Sequence, residues 1–274
     1  MIEYHFPDLE LREHAGLGID YGVCPKSGTL YYRAAEAKTY EGDYFLAEYA
    51  AQYGRTYVED ESHLRELARR RLALLKAPVP ARNAETAKPR LLEIGCAAGF
   101  FLDEARLAGY QCAGLEISQF AADYGRHQLG LDIKTASFLD VDLEPQAYDV
   151  IAAFYVIEHF ARQRSVFQKI ADALKPGGVF IFAVPSTNGP LFEYDLDRWR
   201  ATHPTDHHAD YSPASLRRLS PAYGLVCERV RPASFHPERA RGWKGLLPAA
   251  LYRAYARACA YGDTIEGAAR KKAA

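Results

Sequence analysis

Runs of apolar residues alternate with stretches of mixed polarity between residues 90 and 185. Four short runs have the length of strands, and they lie at 91–94, 112–115, 148–155 and 179–184. Segments with the spacing of amphipathic helices lie between them, at about 100–108, 118–129 and 161–174. This alternation predicts right-handed crossovers and a parallel sheet. The last two runs are nearly all apolar, which is typical of strands covered on both faces.

The chain before residue 90 lacks this alternation. Residues 1–60 are rich in tyrosine at irregular spacing, which predicts loops and short helices, and a helix with a leucine-lined side follows near residue 62. Three prolines among alanine and polar residues indicate a linker over 77–89. We therefore predict an N-terminal cap and linker over residues 1–89 and a main domain over residues 90–274.

Beyond residue 186 the pattern changes to a polar loop that is rich in aromatic residues and histidine. A short helix is predicted at 212–219, strands are predicted at 225–231 and 264–270, and a helix is predicted within 238–261. The segments 186–211 and 238–261 are therefore predicted to be insertions in the main domain.

Composition and charge exclude several classes of protein. The 274 residues are 49% hydrophobic and carry a net charge of -1, so the chain has no overall positive field that would favour nucleic acid. The basic run at 69–71 falls in a helical pattern and is interpreted as a solvated face. Five scattered cysteines without a C-x-x-C pair predict a reducing compartment and neither disulfides nor structural zinc. No signal peptide or membrane-spanning run is found, so a soluble, cytoplasmic protein is expected.

A turn of small residues after the first strand of the main domain indicates a ligand site. Glu93 lies at the end of an apolar run, and residues 95–99 lead into a helix that starts at Phe100. Such a turn lets the backbone approach a ligand, and the free N–H groups of the helix can receive it. The dinucleotide pattern G-x-G-x-x-G fits poorly, because Ala97 and Phe100 occupy its second and third glycine positions. Glu93 instead favours a ligand with positive charge or N–H donors.

The run 93–99, Glu-Ile-Gly-Cys-Ala-Ala-Gly, resembles the first motif of class I S-adenosylmethionine-dependent methyltransferases, [D/E]-x-G-x-G-x-G, with Ala97 replacing the middle glycine. Further motifs follow in the family's order at 114–118, 136–138, 148–159 and 174–178. The segment 206–216 resembles one in a subgroup that includes ubiquinone-biosynthesis O-methyltransferases and enzymes of secondary metabolism and saccharide modification. The resemblance implies an α/β, Rossmann-like doubly wound sheet of seven strands, mostly parallel with an antiparallel last strand, and an N-terminal helical and aromatic cap.

The resemblance also implies which residues bind S-adenosylmethionine. Glu116, at the end of the second strand, is implied to accept hydrogen bonds from both ribose hydroxyls. Ser137 stands where the family usually has an acidic residue near the adenine, which leaves Phe138 as the expected contact. The expected cofactor residues are Glu93, Gly95, Cys96, Ala97, Gly99, Phe100, Phe101, Glu116, Ile117, Ser118, Ser137, Phe138, Phe154, Tyr155 and His159.

Histidines and aromatic residues are the candidates for the acceptor site. For a hydroxyl acceptor a histidine base is suitable because its pKa lies near neutrality, and His207 is the first candidate and His159 the second. The expected substrate-lining residues are Tyr44, Tyr194, Trp199, His203, His208 and Tyr211. The histidines of this loop with Asp206 and Asp210 resemble a metal cluster, but no predicted helix carries them at H-x-x-x-H spacing, so no metal is expected.

These observations predict methyl transfer from S-adenosylmethionine to a small-molecule acceptor, preferably a hydroxyl, with S-adenosylhomocysteine as product. No nucleic-acid partner and no membrane span are expected, and the oligomeric state stays open. Two alternatives remain. A non-catalytic S-adenosylmethionine-binding protein is suggested by Ala97 and Ser137, whereas an NAD-dependent oxidoreductase shares the strand, turn and helix but not the glycine spacing.

Overall fold

The computed structural model describes residues 2–36, 38, 49–75 and 88–273. Tyr44, which was predicted to line the substrate site, lies outside the described residues. The strands are β1 (Arg12–His14), β2 (Gly18–Val23), β3 (Leu30–Tyr32), β4 (Arg90–Ile94), β5 (Gln111–Glu116), β6 (Ile133–Thr135), β7 (Tyr148–Phe154), β8 (Leu174–Pro185), β9 (Ala209–Asp210), β10 (Leu225–Pro232) and β11 (Thr264–Lys271). The α-helices are α1 (Tyr49–Tyr53), α2 (Glu61–Leu72), α3 (Phe100–Leu107), α4 (Gln119–Leu129), α5 (Gln163–Ala173), α6 (Pro190–Tyr194), α7 (Leu196–Thr202), α8 (Pro213–Leu219), α9 (Gly242–Gly245) and α10 (Ala249–Cys259).

A seven-stranded sheet has the order β10-β11-β8-β7-β4-β5-β6. Strand β4 pairs in parallel with β5 and β7, β5 pairs in parallel with β6, and β10 pairs antiparallel with β11. The predicted α/β architecture, a mostly parallel sheet with an antiparallel last strand, is thereby confirmed. Helices α3, α4 and α5 form where amphipathic spacing predicted them.

The chain divides into two compact units, neither of them a continuous stretch. The first unit contains Met1–Ala37, Phe154–Gln168 and Phe182–Lys272, and the second contains Lys38–Ala153, Lys169–Ile181 and Ala273–Ala274. Each unit is a set of residues that pack closely together, and the units do not test the predicted domain boundary between residues 89 and 90, which stays a prediction. No described helix is long and apolar enough to cross a bilayer.

The first unit contains a four-stranded sheet of order β1-β2-β3-β9. The prediction of loops and short helices for its N-terminal part was wrong over residues 12–32. Strands β1 and β3 have only three residues each, too few for alternating polarity to be visible in the sequence. Strand β3 pairs antiparallel with β9, with Leu30 opposite Asp210, so distant pairing rather than local pattern forms this sheet.

The N-terminal residues of the first unit are held by buried polar contacts. His5 is 3% exposed, its Nδ1 lies 2.8 Å from the Tyr223 hydroxyl and its Nε2 lies 3.2 Å from the Tyr211 hydroxyl. Its ring meets the Phe167 ring edge-on at 4.8 Å between centroids. Burial lowers the pKa of His5 to about 3, so the imidazole is neutral near pH 7.

Helices α2 and α3 of the second unit are joined by ion pairs. Arg65 Nη1 lies 2.8 Å from Asp103 Oδ2 and 3.2 Å from Glu104 Oε1. The interpretation of the basic run as a solvated face holds for Arg69 and Arg70 but is wrong for Arg71, which is 8% exposed. Arg71 shares the buried side of α2 with Ala68, since the two lie three residues apart and so on one face of the helix.

Candidate functional site

The turn between β4 and α3 bends through three residues in the left-handed region. Gly95 has φ 66°, Ala97 has φ 49° and Gly99 has φ 86°. A Cβ at Gly99 would come within 2.5 Å of Leu131 Cδ1, so glycine is required there for space as well as conformation. Ala97, which stands where the family motif has glycine, therefore adopts the backbone conformation that glycine favours.

Hydrogen bonds from the backbone fix this turn against the end of β5. The N–H groups of Gly95 and Cys96 both donate to the Leu115 carbonyl, at 2.7 and 3.1 Å. Glu116 accepts from the Ala97 N–H through Oε2 and from the Ser118 N–H through Oε1, both at 2.8 Å. Burial raises the pKa of Glu116, and these backbone donors partly oppose the rise. Each carboxylate oxygen has two lone pairs, so Glu116 can accept further hydrogen bonds from a ligand.

Glu93 is a buried carboxylate beside this turn. It is 4% exposed, and its Oε2 has no hydrogen-bond partner among the described residues. Burial raises its pKa well above the usual range, Glu116 raises it further, and the positive charge of Arg71 acts in the opposite direction. A buried acid with an unpaired oxygen is stabilised by a cationic or N–H-bearing ligand.

The donor set of the turn fits S-adenosylmethionine. Glu93 Oε2 would receive the ammonium of the cofactor, and the spare lone pairs of Glu116 would receive the ribose hydroxyls. Ile117 is 52% exposed and leaves an apolar surface next to Glu116, as a purine ring requires. Cys96 is buried and its thiol pKa lies well above the usual range, chiefly through burial, so it stays protonated.

Several aromatic side chains expected at the cofactor belong to the core of the second unit. Phe100 is 2% exposed and its ring stacks on Tyr57, at 5.8 Å between centroids and 12° between planes. Phe101 is 6% exposed, and Phe138 is 2% exposed with Lys169 Nζ 5.1 Å from its ring centroid. Because these rings are buried, such residues would contact a ligand through their backbone N–H groups. Ser137, which precedes Phe138, is half-buried.

A cluster of histidine and carboxylate side chains forms a second candidate site, inside the first unit. We call it the histidine cluster, and its members are Glu158, His159, His203, Asp206, His207 and Asp210. The turn after β7 supplies the first two, and the loop from α7 to β9 supplies the others. The His208 N–H donates to the Glu158 carbonyl at 2.8 Å, which holds the two segments together.

His159 and Asp206 form an oriented pair in this cluster. His159 Nδ1 lies 3.1 Å from Asp206 Oδ2, and the His159 side chain is 24% exposed. Burial alone would lower the pKa of His159, but the Asp206 hydrogen bond and the charge of Glu158 outweigh it, so the pKa is raised. With Nδ1 held by the carboxylate, Nε2 is the ring nitrogen that would exchange a proton with a substrate.

His203 and Asp210 form the buried side of the cluster. His203 Nε2 lies 2.9 Å from Asp210 Oδ2, and both side chains are 3% exposed. Burial would raise the pKa of Asp210, but the hydrogen bond from His203 and the nearby His207 imidazole lower it below the usual range. The His203 ring also packs against Trp199, with 4.6 Å between centroids, and against Tyr21.

The structure brings most of the predicted acceptor residues into the first unit but gives them different environments. Tyr211 is fully buried and its hydroxyl bonds to Gln163 and His5, so it is a core residue. Tyr194 is half-buried and lies near Lys244, whose Nζ is 5.7 Å from its ring centroid. Tyr155 is 37% exposed at φ 58°, a strained conformation at the end of β7. Phe154, which precedes it, is half-buried.

Sequence reasoning missed two functional neighbours. It did not place Arg71 near Glu93, because the basic run was assigned to a solvated face. It also did not place Tyr21 next to His203, because the contact depends on the unrecognised strand β2. The available signal for the first was that Leu64 and Ala68 lie on the same helical face as Arg71, seven and three residues before it.

Comparisons with known proteins found similar sequences and structures. The family model described as "Methyltransferase domain" matches residues 60–230. A ubiquinone biosynthesis O-methyltransferase of Thiobacillus denitrificans is 26% identical over 169 residues, covering 57% of this chain and 72% of the relative. A similar relative from Chromobacterium violaceum is 24% identical over 170 residues, with the same coverage. A SAM-dependent methyltransferase of Archaeoglobus fulgidus superposes with a TM-score of 0.55 at 14% identity, covering 82% of this chain and 98% of the other.

Proposed function

Since this chain belongs to the methyltransferase domain family, we propose that it methylates a hydroxyl group of a small molecule. It is an enzyme, and S-adenosylmethionine is its cofactor. Family membership therefore disfavours both alternatives from the sequence, a non-catalytic binding protein and an NAD-dependent oxidoreductase. We infer a hydroxyl acceptor from the oriented pair of His159 with Asp206.

A hydroxyl acceptor needs a base more than an amine does. A neutral amine already has a lone pair for the attack, whereas a hydroxyl is a weak nucleophile until its proton leaves. The Asp206 carboxylate holds His159 Nδ1 at 3.1 Å, and the raised pKa makes His159 a stronger base. A nitrogen base oriented by a carboxylate is the arrangement that activates hydroxyl nucleophiles. The relatives from Thiobacillus denitrificans and Chromobacterium violaceum, which are named ubiquinone biosynthesis O-methyltransferases, support the same choice.

Two groups of residues have separate roles. When bound, the cofactor supplies an electrophilic methyl group on a sulfonium. Glu93 and Glu116 would hold its charged and hydroxyl groups, and the turn at 95–99 would let it approach the backbone closely. His159 Nε2 would take the acceptor proton, and Asp206 would stabilise the imidazolium that results. Binding and orientation would supply much of the rate, on the order of 7–11 kcal/mol of the barrier.

His207 is the alternative base. Its ring lies 4.7 Å from the His159 ring between centroids, so the two share one environment. Its side chain is only 8% exposed, and its Nδ1 has no hydrogen-bond partner in the described part of the chain. Without an orienting carboxylate within hydrogen-bond distance, His207 is the weaker candidate, and this reverses the order expected from the sequence.

The test is product analysis with S-adenosylmethionine and a matched panel of acceptors. Each scaffold, phenolic or saccharide, is supplied once with a hydroxyl and once with an amine at the same position. Formation of S-adenosylhomocysteine gives the rate, and mass spectrometry of the purified product gives the methylated atom. We expect methyl ethers from the hydroxyl series. Turnover of the amines with none of the hydroxyls would overturn O-methylation while leaving methyl transfer itself intact.

A further inference from the structure

Two groups of side chains in the histidine cluster have the chemistry of a metal site. His203, His207 and Asp210 place one donor atom each within 4.8 Å of one another, and so do Glu158, His159 and His207. Both groups lie entirely in the first unit and share His207. The sequence analysis expected no metal here because no predicted helix carried the histidines, and in the structure a loop brings them together instead.

The donor distances are compatible with one small shared ion. Ligand atoms about 2.1 Å from a tetrahedral zinc ion lie about 3.4 Å from each other. His203 Nε2 lies 2.9 Å from Asp210 Oδ2, and His207 Nδ1 lies 3.8 Å from Asp210 Oδ1. The second distance is too long for a hydrogen bond, yet both bracket the spacing that one shared ion imposes.

Several buried polar atoms of the histidine cluster lack hydrogen-bond partners among the described residues. The Glu158 side chain is 1% exposed, and apart from an interaction with its own backbone N–H neither carboxylate oxygen has a hydrogen-bond partner among the described residues. His207 Nδ1 is also buried without a partner in the described ranges. Buried unpaired polar atoms are destabilising, and a nearby divalent cation would interact favourably with a carboxylate and an imidazole together.

We propose that His203, His207 and Asp210 bind a divalent transition-metal ion of the zinc class. The Glu158 carboxylate, which has a donor oxygen within 4.8 Å of a His207 ring nitrogen, adds negative charge beside this set. Imidazole nitrogen with carboxylate oxygen selects such ions over magnesium and calcium, which prefer oxygen ligands alone. His159 stays outside this set because Asp206 holds its Nδ1. The ion would fix the loop that carries His207 and would not use His159 as a ligand, so the metal site and the proposed base have independent roles.

The proposal is tested by metal binding, without any methyl acceptor. Untagged full-length protein is stripped with a chelator and titrated with Co²⁺, whose visible absorption reports coordination by nitrogen and oxygen in a site of low symmetry. Equilibrium dialysis against Zn²⁺ gives the stoichiometry. We expect one ion per chain, intense visible bands with Co²⁺, and a higher melting temperature with Zn²⁺ than without it.

Variants identify the ligands. His203→Gln and Asp210→Asn should each weaken binding by more than the roughly 100-fold that loss of an outer-shell partner costs. His208→Gln is the matched control, because His208 is a buried histidine of the same loop that belongs to neither group. Circular dichroism and the melting temperature without metal show whether each variant folds, and Asp210→Asn keeps the shape of the side chain if His203→Gln does not fold. No binding to the wild type at millimolar Zn²⁺, or equal binding by Asp210→Asn, would overturn the proposal.

Discussion

The turn at 95–99 is formed mainly by backbone groups, whereas the histidine cluster is formed mainly by side chains. The turn is made by backbone conformation and backbone N–H groups, and side chains enter it mainly as the acceptors Glu93 and Glu116. The cluster is made by side chains from two distant segments, with the backbone serving as a tether at His208. A site built from backbone tolerates changes of side chain if the conformation survives, whereas a site built from side chains depends on each of them. The two regions should therefore respond differently to substitution.

The largest effect is expected at His159. His159→Ala removes the base, and we expect kcat on a hydroxyl acceptor to fall by about 10²–10⁴-fold, with cofactor affinity unchanged. Rates from S-adenosylhomocysteine release and affinities from calorimetry separate the two. His207→Ala is the comparison variant. If it abolishes turnover while His159→Ala does not, the assignment of the base is reversed.

Glu116 is the side chain on which the turn depends most. Glu116→Ala removes the acceptor of the Ala97 and Ser118 N–H groups and of the ribose hydroxyls, so we expect S-adenosylhomocysteine to bind about 100-fold more weakly. Calorimetry measures this directly. Glu144→Gln, at an exposed acidic residue of the same unit, should leave affinity as it is. An affinity within threefold of wild type for Glu116→Ala would show that the backbone alone binds the cofactor.

The pairing of His159 with Asp206 predicts a shift in the pH profile. Asp206 raises the pKa of His159, so wild-type kcat should fall as pH decreases through a value above 6.5, the ordinary histidine pKa, where the imidazole becomes protonated. Asp206→Asn removes the negative charge, and the acidic limb should move to lower pH while the maximal rate decreases, because the ring loses its orientation. A profile with an unmoved acidic limb would mean that Asp206 has no electrostatic effect on the base.

The smallest effect is expected at Ala97. A left-handed conformation costs a non-glycine residue about 1–2 kcal/mol, and glycine costs about 0.5–1 kcal/mol in chain entropy, so Ala97→Gly should stabilise the protein by about 0.5–1 kcal/mol. Urea unfolding measures the change. Ala98→Gly, at the buried neighbouring residue without positive φ, should instead destabilise it. If Ala97→Gly also tightens cofactor binding, the methyl group of Ala97 crowds the cofactor.

The sequence predicted the histidine cluster less well than the turn at 95–99, for physical reasons. Strands β4, β5 and β7 and helices α3 and α4 follow from local periodicity, and the turn between β4 and α3 follows from small residues at fixed spacing. The histidine cluster instead depends on contact between the turn after β7 and the loop before β9, where the His208 N–H donates to the Glu158 carbonyl. Local sequence does not show which loops meet, so the histidines, Asp206 and Asp210 were recognised as candidates while their contact with Glu158 was not predicted.

The hydrogen bond between His5 and Tyr223 joins residues that are 218 positions apart. During synthesis the N-terminal segment, including β1, β2 and β3, must wait until β9 and Tyr223 have left the ribosome before it can complete its sheet and bury His5. Contacts of such sequence separation close slowly and leave apolar side chains exposed in the meantime. The second unit, whose turn and helices α3 and α4 form from neighbouring residues, should fold earlier, and expression at low temperature or with chaperones should benefit the first unit more.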